Sequence, residues 1–196
     1  MGRRPDPRRK AELLDALVEY LLQHGLAELS LRPLAAALKT SPRTLLYHFH
    51  SREDLIAAAV NEFRKRHLAI VAEGLQRHPP PSAEEGLKQY WASYTAKKRE
   101  PFLRLQFEIW GLALQNPERF TDFLQGVAVY YDSFEEGLVL QGVPREKSRI
   151  LATQHMAAIR GLMLDLLTTG DRKRIDKAIE RMGRDLREAV AQAQRE

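Results

Sequence analysis

SLRPLAAALKTSPRTLLYHFHSREDL, residues Ser30 to Leu55, decides how the rest of the chain is read. Ser30 is a good N-cap, and Pro33 falls in the first turn behind it, where a missing N–H costs little. Leu31, Leu34, Ala35 and Leu38 then share one helical face. The run breaks at Lys39-Thr40. A second start follows at once, with Ser41 as cap and Pro42 at the first helical position. Leu45 and Phe49, four apart, point inward together with Leu46, which leaves Arg43, Thr44, Tyr47 and His48 on the outer face. A helix of two turns does not stand alone in water, so its neighbours must hold it. Two short helices around a tight turn, with an outward set of Arg, Thr, Tyr and His, describe a helix-turn-helix whose second helix enters a major groove.

Working outward, Asp6 and Pro7 make a cap followed by a first helical position. Leu13-Leu14, Leu17-Val18 and Leu21-Leu22 give a helical stripe that ends at Gly25. Downstream, Ser51-Arg52-Glu53-Asp54 opens a further helix with an N-cap and two acids in its first turn, as the macrodipole prefers. Leu55, Ile56, Ala59, Phe63, Leu68 and Val71 carry it to about Leu75.

The order Leu34-Ala35, Ser41, Thr44-Leu45, Phe49, Ser51, Arg52-Glu53 and Leu55 resembles the DNA-binding domain of TetR-family regulators. Gly25, with Leu29-Ser30-Leu31-Arg32 after it, fits the same pattern, and the resemblance spans residues 11–60. Three positions depart from it. Lys39 stands where the family usually has a turn Gly, and a positive φ there carries about 1 kcal/mol of strain. Thr40 replaces a small aliphatic residue. Leu46 takes the place of a common phosphate-contacting Tyr, with Tyr47 one residue later. The resemblance implies a DNA-binding set of Ser41, Pro42, Arg43, Thr44, Tyr47, His48 and Arg52. It also brings Arg8, Arg9 and Lys10, at the start of the first helix, towards the DNA backbone.

The 196 residues suffice for a substantial core, and 44% hydrophobic with 29% charged residues is an ordinary soluble balance. Cysteine is absent, which excludes disulfides and thiolate chemistry and agrees with a reducing cytoplasm. No apolar run approaches the ~18 residues of a membrane span, and MGRRPDPRRK lacks the apolar core of a secretory signal. Of the net charge of +5, residues 1–52 supply +4, with nine Lys/Arg against five Asp/Glu. Five of those nine lie in residues 3–10, as a solvated basic tail would have them. Beside a helix-turn-helix, phosphate neutralisation gives the excess a use.

Beyond residue 77 the chain is punctuated helix. HPPPS, residues 78–82, cannot continue a helix. Ser82 and Glu85 form a capping box for a helix to about Arg99. Glu100-Pro101 starts another to Gln115, Asn116-Pro117 a long one to Leu140, and Pro144 one to Thr169. The last runs from Ile175 to Ala193. With no strand pattern, the expected class is all-α with about nine helices. Residues 1–55 are expected to form the helix-turn-helix domain, and residues 56–196 a helical regulatory and dimerisation domain.

Eleven of the fifteen aromatic residues lie between Tyr90 and Phe134. Such clustering suits the wall of a pocket for an apolar or aromatic effector, with Trp91, Tyr94, Phe107, Trp110, Phe123, Tyr130 and Tyr131 as candidates. Helical spacing equally makes them plain core. Arg104, Glu108 or His155 would supply a polar anchor. The helix after Pro144 is apolar around too much of its circumference. Leu151, His155, Ile159, Leu162 and Leu166, with Ile179, Met182 and Leu186 of the last helix, are therefore expected to face a second copy in a four-helix bundle, burial of all of them within one chain being the alternative.

Catalysis finds no support: G-x-S-x-G, a P-loop, a dinucleotide fingerprint and H-E-x-x-H are all missing. His48 and His50 are two apart on a helix and cannot share a metal. No catalytic residue, metal site or cofactor is called for. The residues and the resemblance together point to a homodimeric transcriptional regulator, a ligand-released repressor on a palindromic duplex operator. A helical protein-interaction module that keeps the motif as scaffold is the competing reading.

Overall fold

The computed structural model describes residues 6–27, 29–77 and 80–195. Among them lie nine α-helices and one short 3₁₀ turn, and no strand. α1 (Pro7–His24) starts as its sequence dictates: the Asp6 carboxylate accepts the Arg8 N–H, and Gly25 closes the helix at φ 73°. α2 (Leu31–Ala37) and α3 (Pro42–Phe49) follow, then α4 (Arg52–Arg77), with Ser51 Oγ accepting the Asp54 N–H at 2.9 Å. The remainder is α5 (Ala83–Thr95), the 3₁₀ turn at Lys97–Arg99, α6 (Glu100–Gln115), α7 (Thr121–Leu140), α8 (Arg145–Thr169) and α9 (Arg172–Ala193).

Three boundaries differ clearly from the sequence expectation, the first being α9, which starts at Arg172 rather than Ile175 because Asp171 caps it by accepting the Arg174 N–H. α5 stops at Thr95 because Ala96 turns to an extended conformation (ψ 136°) before the 3₁₀ turn. α7 begins at Thr121 rather than at Asn116-Pro117; Thr121 Oγ1 donates back to the carbonyls of Glu118 and Pro117, which ends the preceding turn. Of the proline-rich break, residues 78 and 79 lie outside the described residues.

The chain forms two compact units. The first is Met1–Val71 with Arg104–Leu124. Its core is the α1 stripe Leu13, Leu17, Val18 and Leu21, with Leu34, Leu45, Phe49, Leu55, Val60 and Phe63, all buried. α4 is tied to α1 by Arg66, whose guanidinium meets the carboxylates of Asp15, Glu19 and Glu62. α6 reaches the turn after α1: Glu108 Oε2 accepts the Leu26 N–H at 2.6 Å. Gly25 leaves room for that carboxylate, since a Cβ there would stand 2.9 Å from Oε2.

The second unit is Ala72–Leu103 with Gln125–Glu196. Here α9 lies along α5 and beside α8. Gly183 permits the approach, because a Cβ on it would come 3.1 Å from Cγ of Glu84. Polar clamps fix the register of the pair. Trp91 Nε1 donates to Asp176 at 2.7 Å, Arg187 pairs with Glu84 at 2.9 Å, and Arg172 donates to the Thr95 carbonyl.

That packing corrects part of the expected dimer face. Ile159, Ile179 and Leu186 are at most 2% exposed within one chain, and His155 is buried. The α9 stripe is spent on its own α5, because an amphipathic helix buries its apolar face against the first complementary face available. Leu151, Leu162, Leu166 and Met182 are half-buried. What α8 leaves to solvent is a different line: Ile150, Ala157, Gly161 and Leu164.

Candidate nucleic-acid interface

The turn between α2 and α3 is built by backbone bonds. Leu38, Lys39 and Thr40 donate to the carbonyls of Leu34, Ala36 and Ala35, and Lys39 takes φ 51°. A lysine therefore occupies the left-handed conformation that the sequence pattern requires at this point. Ser41 caps α3, accepting the Thr44 N–H at 3.0 Å, and its hydroxyl meets that of Thr44 at 2.8 Å. Pro42 supplies the preset φ of the first turn. At the other end His50, at φ 67°, donates its N–H to the Leu46 carbonyl at 2.8 Å. Arg52, at the head of α4, donates through Nε and Nη2 to the Leu29 carbonyl at 3.2 and 2.8 Å, holding the segment that leads into α2.

α3 does not present the face expected for it. His48 is only 5% exposed, with Nδ1 buried and unpartnered, whereas Leu46 is 37% exposed. The reason is helical phase. Leu45, His48 and Phe49 stand at i, i+3 and i+4 and form one inward stripe, while Leu46 is turned about 100° from Leu45. Residue chemistry, leucine inward and histidine outward, misled; the spacing alone contains the answer. The outer face of α3 is instead Arg43, Leu46 and Tyr47, at i, i+3 and i+4, with His50 exposed just past the helix end. His50 was absent from the expected set. Thr44 is half-buried, its hydroxyl engaged with Ser41.

Further cations lie on the same unit. Arg8, Arg9, Arg32 and Lys39 are exposed. Lys10 reaches over the Phe49 ring at 5.4 Å, which places the start of α1 beside the end of α3. Arg9 pairs with Glu12 at 2.9 Å. An exposed Arg and Tyr on a short capped helix, with His just past its end and a cationic helix start beside it, match the needs of base-edge and phosphate contact.

With that geometry in view, residues 13–59 match the model of the bacterial regulatory proteins of the tetR family. That segment is of the TetR family. Over more than nine-tenths of its length the chain is similar in fold to several solved proteins. One is a transcriptional regulator from Rhodococcus sp. Rha1, at 16% identity and TM-score 0.77 over 94% of this chain and 97% of that one. Another is a regulator from Saccharomonospora viridis in complex with choline, at 21% identity and TM-score 0.74, covering 93% and 97%. A third is the multidrug binding protein EbrR complexed with ethidium, at 22% identity and TM-score 0.64, covering 91% and 99%. No curated protein matches the sequence.

The aromatic candidates are divided between the two units. Phe107 and Trp110, half-buried and edge-to-face at 5.8 Å, belong to the first unit with the buried Phe123. Trp91, Tyr94, Tyr130 and Tyr131 belong to the second. There the Tyr94 ring stacks on Tyr90 at 4.2 Å, and its hydroxyl is hydrogen-bonded to those of Tyr90 and Tyr130. Burial pushes the Tyr90 phenol up to about 12, against the hydrogen bond from Tyr94 and the charge of Arg160. Burial raises Tyr94 well beyond the usual phenol range. The Arg160 guanidinium lies 4.5 Å over the Tyr131 ring and donates to its hydroxyl.

The three proposed polar anchors part company as well. Glu108 is committed to the Leu26 N–H. His155 Nδ1 meets the Leu151 carbonyl at 2.8 Å and its ring stacks on Phe134, as a satisfied core histidine does. Arg104 is exposed. Among the described residues no cluster of three or more His, Asp or Glu could hold a metal, and no helix is long and apolar enough to cross a membrane.

Proposed function

We propose that this chain is a homodimeric, sequence-specific transcriptional regulator, a repressor whose affinity for a palindromic duplex operator falls when a small molecule binds. The observation that carries the reading is the exposed set Arg43, Leu46 and Tyr47 on a helix capped at both ends, with the exposed His50 at its C-cap. Residues 1–55 are assigned to DNA reading, and residues 56–196 to regulation and dimerisation. Two α3 helices enter successive major grooves about 34–36 Å apart. Arg43 faces a guanine edge. Arg52, fixed on the Leu29 carbonyl and still partly exposed, faces phosphate.

Selection of bound genomic fragments followed by a mobility-shift assay tests the function; failure to enrich any fragment refutes it. On an enriched fragment, Arg43→Ala lowers the preference over a guanine-substituted control by about 1–3 kcal/mol, while binding to non-specific DNA changes little. An equal loss on both DNAs would remove Arg43 from the base-reading role.

The effector is of the apolar or aromatic class. Its support is the aromatic residues of the two units, together with the solved complex of a similar fold with the aromatic compound ethidium; the complex of another with choline supports small-molecule binding alone. A tenfold loss of operator affinity needs only about 1.4 kcal/mol of coupling. Linkage makes it reciprocal, so operator DNA must weaken effector binding by the same factor. Fluorescence titration of Trp91 and Trp110 with a neutral aromatic hit from a thermal-shift screen, first shown not to bind the operator duplex itself, with and without operator, checks this. Equal affinity for that compound in both titrations would exclude the coupling.

A further inference from the structure

Leu46 is an apolar side chain on a face otherwise suited to polar contact. It stands three residues after Arg43 and four before His50, with Tyr47 beside it, and all four are exposed. α3 cannot rotate to hide it. The Ser41 and His50 caps fix both ends, and any turn that buried Leu46 would expose Leu45, which is 0% exposed, or Phe49. A leucine side chain neither donates nor accepts a hydrogen bond, so phosphates and the polar base edges offer it nothing. The apolar feature of the major groove is the thymine C5-methyl group. Arg43 and Leu46 are separated by about 4.5 Å along the helix axis, which is the scale of one base-pair step.

We propose that Leu46 is a specificity-determining residue that packs on the C5-methyl of a thymine one or two base pairs from the guanine taken by Arg43. The inference rests on the DNA-reading function above and names what half of that face reads. It also gives a use to the departure seen at this position in the sequence: apolar contact with a base replaces a phosphate contact.

The test uses the full chain and a fragment enriched by the selection described above, resynthesised with deoxyuridine for thymine at one half-site position at a time. Uracil keeps every hydrogen-bonding group of thymine and lacks only the methyl. At one symmetric pair of positions the wild type loses about fourfold per half-site, the value expected for one buried methyl group. Leu46→Ala binds the thymine and uracil fragments alike, and Leu46→Met, which restores the apolar contact, regains the difference. Leu46 is partly exposed, so both variants retain the parent melting temperature. Binding of the wild type that is indifferent to every uracil exchange overturns the inference and leaves DNA reading intact. A methyl effect that persists in Leu46→Ala overturns it too, by assigning the methyl to another residue. Absence of any fragment bound by the wild type overturns the regulator reading and this inference with it.

Discussion

Aspartate at Ile159 unfolds the second unit, whereas aspartate at Leu164, five residues along the same helix, is expected to leave the fold intact and separate the proposed dimer. Ile159 is 0% exposed, so its replacement buries a carboxylate with no partner. The cost is several kcal/mol, a large share of the total stability of a domain this size. Leu164 is 50% exposed in the single chain, and a charge there sits in water at a cost within about 0.5 kcal/mol. In an isologous contact along α8 the same substitution places two carboxylates near the symmetry axis, which costs several kcal/mol of association energy. Thermal melting by circular dichroism separates the two variants, and light scattering at matched concentration gives the mass of the folded one. A Leu164→Asp protein that stays dimeric would show that the line Ile150, Ala157, Gly161 and Leu164 is not the interface.

Gly25→Ala destabilises the first unit by about 1–3 kcal/mol from its backbone alone. Gly25 sits at φ 73° and ψ −173°, a region essentially reserved for glycine. The added Cβ would also stand 2.9 and 3.0 Å from the two Glu108 oxygens, so the carboxylate that accepts the Leu26 N–H must move. Glu108→Ala by itself removes a charge-assisted hydrogen bond worth about 1.5–3 kcal/mol. If crowding contributes, the double variant is less unstable than the two single effects summed, by at least about 0.5 kcal/mol. Urea denaturation of the four proteins measures the difference. Strict additivity would assign the whole cost of Gly25→Ala to the backbone, and would leave Glu108 only as the tie between α6 and the turn after α1.

The features legible in the sequence are those whose physics acts within a few residues. Asp6, Ser41 and Ser51 each cap the helix that their spacing predicts, because a side-chain oxygen reaches an N–H only two or three positions on. Gly25 and Lys39 take positive φ where the pattern asks for it. The helix-turn-helix, the all-α class and most helix boundaries follow from such local signals. The face of α3 is also contained in the spacing, since helical phase rather than residue type turns Leu46 outward and His48 inward.

What the sequence could not decide depends on partners distant along the chain. Glu108 read as a candidate ligand anchor, and its partner Leu26 lies 82 positions away. Trp91 read equally as pocket wall or core until Asp176, 85 positions on, took its N–H. The stripe of α9 read as a dimer face because an apolar stripe records only that burial is needed, not against what. Gly183 and the Glu84–Arg187 pair draw α5 onto that stripe, and Ile179 and Leu186 are thereby used up within one chain. By itself the sequence determined the helices, most of their caps and the motif, since those energies are local, although Ser30 stands at the N-cap of α2 without a side-chain cap bond. Only the tertiary structure decided which apolar faces meet each other and which stay exposed, because burial is satisfied by any complementary face and its choice is made in three dimensions.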